Sequence, residues 1–217
     1  MRAATLLVTV VLAGGCAKRV DRDLLRDLTV ESKLVLFEAE NEVSIALDEE
    51  EMLTRQIRDL RAQVKEIDVL KNEADGDADR AKARKDDKAV DVAKRAYDVL
   101  DLKRRFVEYR VRVLKQKLSA QDRLVRVSYA KYELAKAKLV KKNNVRGADK
   151  IDLADFEKQV DSMVAKARSA QGAVEEAEKE AEAKKQEWLA ARNQLESSAG
   201  GGASSPWADD ASAWGTP

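Results

Sequence analysis

Apolar residues recur every three or four positions along three long stretches of this chain, and few folds accept that pattern. The first stretch runs Leu36, Ala39, Val43, Ala46, Leu53, Ile57, Leu60, Val64, Ile67, Ala74, interrupted by the polar Glu50 and Lys71. The second runs Val90, Ala93, Tyr97, Leu100, Val107, Val111, Leu114, Leu118, Val125, Tyr132, Ala135, Leu139, with Arg104, Gln121 and Ser128 at seam positions. The third runs Leu153, Phe156, Val160, Met163, Ala167, Ala170, Val174, Ala177, Ala181, Trp188, Ala191, Leu195, broken by Lys184. Sustained spacing of this kind is the a/d seam of a coiled coil. Both prolines, Pro206 and Pro217, fall outside the stretches, and no segment alternates with period two. The expected fold class is all-α: an elongated antiparallel helical hairpin or three-helix coiled coil with a disordered C-terminal tail.

The punctuation divides the seams. Asp75-Gly76-Asp77 offers a turn after the first. Asn143-Asn144-Val145-Arg146-Gly147 separates the second from the third, whose N-cap is Asp152. Helices are therefore expected over 21–75, 79–142 and 152–196, roughly 80, 95 and 67 Å long at 1.5 Å per residue. Short connections make sequential neighbours antiparallel, giving a rod over 21–196.

Charge supports that order. Residues 21–79 carry 18 acids and 8 bases, 80–142 carry 8 acids and 21 bases, and 143–217 carry 14 acids and 9 bases. An acidic, a basic and an acidic helix attract in sequence, and self-pairing of the basic one is penalised. That middle helix also has a second apolar line: Val99, Phe106, Val113, Ala120, Val127, Leu134, all at position c when Val90 is a. A helix apolar on two sides is covered on two sides. Either the flanking helices cover both, or the second line docks a partner protein or another copy. Val99, Phe106, Val113, Val127 and Leu134 are the candidate contacts in the latter case.

Composition narrows the function classes. The chain of 217 residues is 37% charged and only 5% aromatic, with no histidine and one cysteine. The commonest general base and metal ligand is missing, and a cysteine zinc cage cannot form. The chain contains no Gly-rich phosphate loop, nucleophile elbow or metal-ligand spacing. Solvated carboxylates such as Asp48-Glu49-Glu50-Glu51 lack the burial that shifts a pKa for catalysis; Glu50, at a seam position, reads as a register-setting polar residue. We expect no catalytic, cofactor-binding or metal residues, no cofactor, and no small-molecule substrate. The 21 bases of the middle stretch are flanked by acidic helices and sparse in aromatics, which argues against a nucleic-acid partner.

The N-terminus supplies an address. Residues 1–16 read MRAATLLVTVVLAGGC: a positive Arg2, an apolar core from Ala3 to Ala13, then small residues. This is signal-peptide grammar, and the apolar run is too short to span a bilayer. With Cys16 preceded by Gly15, Gly14, Ala13 and Leu12, the segment resembles a bacterial lipoprotein signal. That resemblance implies cleavage before Cys16, acyl chains including palmitate on Cys16, and, with Ala17 following, the outer membrane facing the periplasm. The segment also fits an ordinary signal cut after Ala13, which leaves Cys16 a free thiol. The expected organisation is a signal peptide over 1–15, a lipidated anchor over 16–20, the rod, and a tail over 197–217.

The tail is Gly-, Ser- and Ala-rich up to Pro206, then carries Trp207 and Trp214 around Asp209 and Asp210. It reads either as a disordered end or as a tethered recognition peptide, since exposed Trp is enriched at binding hot spots. Residues 137–164, with Leu139, Val145 and Asp152, faintly resemble the α-hairpin tip of periplasmic adaptor (membrane fusion) proteins. Arg146 stands where that tip carries Ser, and the adaptors' lipoyl and β-barrel segments are absent. The sequence thus leads to a non-catalytic, lipid-anchored coiled-coil scaffold, spacer or adaptor of the bacterial envelope. Its expected partners are the membrane, through Cys16, and an envelope protein or a second copy. A periplasmic chaperone-like holder of unfolded envelope proteins is the alternative, against which the charged hairpin turns count.

Overall fold

The heptad seams become helices, and their ends are set by capping chemistry that the seams do not contain. The structure, a computed structural model, describes residues 18–26 and 28–198. It contains α1 (Arg22–Arg26), α2 (Val30–Ala83), α3 (Asp87–Lys142), a 3₁₀ turn (Ala148–Lys150) and α4 (Leu153–Ser198), with no strand among the described residues. The chain is all-α, with long helices packed against each other.

The first expected boundary is corrected. Asp75-Gly76-Asp77 is not a turn; α2 runs through it to Ala83. Ala74, Ala78 and Ala81 are all almost fully buried. Their small-residue packing outweighs the roughly 1 kcal/mol that one interior glycine costs a helix. The turn comes instead at Arg84–Asp86. The amide of Asp86 donates to Ala81 O (3.0 Å) and that of Lys85 to Lys82 O (3.0 Å). These two bonds form a Schellman C-cap with Lys85 in the left-handed region, φ 57°. Asp86 then accepts from the Ala89 amide (3.0 Å), so α3 starts at Asp87 rather than 79. The expected helix start at 21 is likewise replaced by the short α1 and a break. Thr29 caps α2 by accepting from the Ser32 amide (3.2 Å).

The second boundary matches the expectation. Asn144 takes φ 49° while the Val145 amide donates to Val140 O (3.3 Å) and the Asn144 amide to Lys141 O (3.1 Å). Val145 and Val140 are both buried, supplying the apolar contact that accompanies this cap. Asp152 caps α4 through the Ala154 amide (2.9 Å). Helix α4 ends at Ser198, two residues beyond the expected end.

The helices contribute to two compact units, one of residues up to Ile45 with Val125–Ala165, the other Ala46–Leu124 with Lys166 onward. In the first, Leu36 of α2 joins Ala137, Leu139 and Val140 of α3 and Phe156 of α4 in one core. Lys131 pairs with Glu42 (3.4 Å), and the Ser32 hydroxyl donates to Asn143 (3.1 Å). In the second, Ile57, Leu60 and Ile67 of α2 pack with Leu100, Val107 and Val111 of α3 and with Trp188 and Leu195 of α4. Within each unit, pair numbers rise on α2 as they fall on α3, so the two helices are antiparallel. Of all the expected seam residues only Tyr97 is exposed, at 38%.

Three polar seam interruptions of the second unit have partners across the α2–α3 pairing. Lys71 pairs with Asp101 (2.5 Å) and lies over the Tyr97 ring (4.8 Å). Arg104 pairs with Asp68 (2.7 Å). Gln121, 6% exposed, donates to Ala46 O and Glu49 Oε2, both at 2.9 Å. A buried polar group that finds its partners in one alignment disfavours every shifted alignment.

Candidate functional site

Two regions bear on function: the segment following Cys16, and the second apolar line of α3. In the first unit, residues 18–26 and Leu28 fold onto the turn between α3 and α4. The Lys18 amide donates to Gln159 Oε1 (2.9 Å), and the Lys18 ammonium pairs with Asp155. That hydrogen bond and charge hold the Asp155 carboxyl below the usual carboxylate range. The Val20 amide donates to Glu133 Oε2 (2.8 Å), whose other oxygen accepts from Lys136 (2.8 Å). The Lys136 ammonium lies 4.0 Å from the centre of the Tyr132 ring. Burial first, then the carboxylates of Glu40 and Glu133, raise the Tyr132 phenol.

Apolar packing completes this clasp. Val20 and Leu28 are buried with Leu139, Val145, Ala148 and Ile151, while Leu24 and Leu25 pack half-buried against them. Gly147, at φ 93°, lies beneath Leu24: a Cβ there would meet Leu24 Cδ2 at 3.4 Å. The clasp was missed at the level of sequence. Val20, Leu24, Leu25 and Leu28 have helical spacing, a signal of an amphipathic segment. Thr29, which ends it, is a residue of the N-cap type. Cys16, two residues before Lys18, lies outside the described residues, as do Trp207 and Trp214.

The second line of α3 is occupied from within the chain. Phe106 stacks on Trp188 of α4 with centroids 5.7 Å apart and planes 11° from parallel. Val99 shares their core, and Ala120 packs with Ala170 and Val174 of α4. Val113 and Val127 are buried, and Leu134 is half-buried against the core of the first unit. In the second unit, Lys117 pairs with Glu178 (2.7 Å) and Arg123 donates to Lys166 O (2.8 Å), tying the same side of α3 to α4. Of the two alternatives for this line, cover by a flanking helix is the one these contacts display. Val99, Phe106, Val113 and Val127 are not surface residues.

The second unit also has an open groove of about 190 Å³ between Ala74 and Ala78 of α2 and Ala93 and Tyr97 of α3, rimmed by Asp75, Lys94 and Asp98. Among the described residues, no group of three or more His, Cys, Asp or Glu could hold a metal ion, and no helix is long and apolar enough to cross a membrane. Compared with protein-family models, curated proteins and solved structures, the chain matches none.

Proposed function

We propose that this chain is a non-catalytic, lipid-anchored scaffold or adaptor of the bacterial envelope, attached to the outer membrane through acyl chains on Cys16. The observation that carries the reading is the clasp. A segment beginning two residues after Cys16 is fastened to the α3–α4 turn by the Lys18–Asp155 pair, the Val20–Glu133 bond and the buried Val20 and Leu28. An acylated Cys16 would thus be mounted on a packed body rather than on a long free tether. Several acyl chains, at about 0.8 kcal/mol per buried CH₂, give a stable attachment. Helices whose seam residues Lys71, Arg104 and Gln121 are matched within the chain supply a body of fixed register, which suits a spacer or scaffold.

The test is crosslinking in intact cells, followed by detergent extraction and sizing. A scaffold migrates as one discrete assembly larger than the monomer, and Cys16→Ser removes that assembly from the outer-membrane fraction. Migration as the monomer alone, unaffected by Cys16→Ser, contradicts the proposal.

A further inference from the structure

In the first unit, α2 is apolar on the side turned away from its own core. Val30, Leu34, Phe37 and Ile45 are 71, 54, 61 and 50% exposed, while Leu36 and Val43 on the opposite side are buried. At about 100° per residue, those four exposed residues fall within one sector of about 80°, and Val35, 62% exposed, lies outside it. The other two phenylalanines, Phe106 and Phe156, are buried, so the exposure of Phe37 is not the chain's habit for this residue. Asn41, also exposed, lies in the middle of the line.

The flanks decide what fits. Residues 30–45 contain the acids Glu31, Glu38, Glu40 and Glu42 against the single base Lys33. Lys33 donates to Arg26 O (3.5 Å), and Glu42 is engaged by Lys131. Glu31 and Glu38 border one side of the apolar line, while Glu40 and Lys33 share the other. An antiparallel second copy placed on this strip would set the Glu31 and Glu38 flank against itself, acid to acid. An anionic bilayer would be repelled in the same way. We propose that the outer face of α2 over residues 30–45 docks a helix of another protein, one with apolar side chains at three- and four-residue spacing and Lys or Arg along the flank that meets Glu31 and Glu38. Asn41 sets the register of that pairing by demanding a polar residue opposite it. This names the surface and partner class of the scaffold reading above, and rests on it.

The test uses the mature chain from Cys16 to Pro217 with the thiol unacylated, and two labelled synthetic helices of about 20 residues sharing one Leu/Ile seam. One is flanked by Lys and the other by Glu, and binding is followed by fluorescence anisotropy. The Lys-flanked helix binds at least tenfold more tightly than the Glu-flanked one. Phe37→Asp and, separately, the charge-conserving Leu34→Gln weaken its binding at least tenfold with helix content unchanged, and Glu38→Lys with Glu40→Lys reverses the preference. Equal binding of both helices, no binding of either, or indifference to Leu34→Gln overturns the proposal. So does a monomer–dimer equilibrium abolished by Phe37→Asp, or sedimentation with phosphatidylglycerol vesicles that depends on Phe37. Acylation of Cys16 is read separately by mass spectrometry, so failure of the strip leaves the anchor standing, and the reverse.

Discussion

Phe106 of α3 and Trp188 of α4 lie ring over ring, with centroids 5.7 Å apart and planes 11° from parallel. The pair shows what the second apolar line of α3 is for. Lys103 approaches the Trp188 ring from α3 (5.8 Å) and Arg192 from α4 (5.7 Å), surrounding the indole with cationic side chains. Truncating either ring leaves a void inside the core of the second unit. Phe106→Ala and Trp188→Ala should each cost about 3–5 kcal/mol by denaturant unfolding. The double variant should show a coupling of about 0.5–1.5 kcal/mol between the rings. Losses below 1 kcal/mol would mean that α4 does not cover this line.

The Lys71–Asp101 pair makes stability depend on pH at both extremes. The Lys71 hydrogen bond, its charge and Arg105 hold the Asp101 carboxyl below its ordinary value against the cost of burial. Burial disfavours the Lys71 ammonium, but the hydrogen bond and charge of Asp101 outweigh it and raise the pKa. A depressed carboxylate stabilises fully above its unfolded pKa and loses that contribution as pH falls through the folded one. A raised lysine stabilises fully below its unfolded pKa and loses it as pH rises through the folded one. The pair's contribution is therefore complete between the ordinary carboxylate and lysine values. Asp101→Asn should lower the denaturation midpoint at pH 7 and bring wild type and variant together in acid. A gap that persists unchanged at pH 2 contradicts this.

Three backbone positions test the turn correction. Gly76 lies inside α2, and a Cβ there would meet only the mobile end of Arg80 at 3.4 Å. Gly76→Ala should stabilise by about 0.5–1 kcal/mol. Lys85 occupies a left-handed position at φ 57°, so Lys85→Gly should also stabilise, by a smaller amount. Gly147, at φ 93° beneath Leu24, has neither freedom, and Gly147→Ala should destabilise by about 1 kcal/mol or more. Thermal midpoints of the three variants decide it. Destabilisation by Gly76→Ala would restore the turn at 75–77.

The helices were legible in the sequence because burial repeats with the helical period, and every expected seam residue but Tyr97 is buried or half-buried. The α3–α4 turn was legible because Asn144 and Gly147 occur where positive φ is needed. The α2–α3 turn was not: Gly76 advertises a break that buried alanines override, while the true cap falls on Lys85, a residue with no left-handed preference. The side of α3 that α4 covers was visible as a pattern, but its occupant was not, because an apolar line does not name what packs on it. The Val20–Leu28 clasp escaped because its period is too short to register as a seam. Two of its hydrogen bonds come from main-chain amides of Lys18 and Val20, which no side-chain pattern announces.

Attachment to the membrane depends on the chemistry of Cys16. The direct measurement is intact-mass and N-terminal peptide mass spectrometry of the protein recovered from the membrane fraction of its native cells. The expected result is a mature chain that begins at Cys16 and carries the mass of its acyl chains. A chain that begins at Gly14 with an unmodified Cys16 thiol would contradict it.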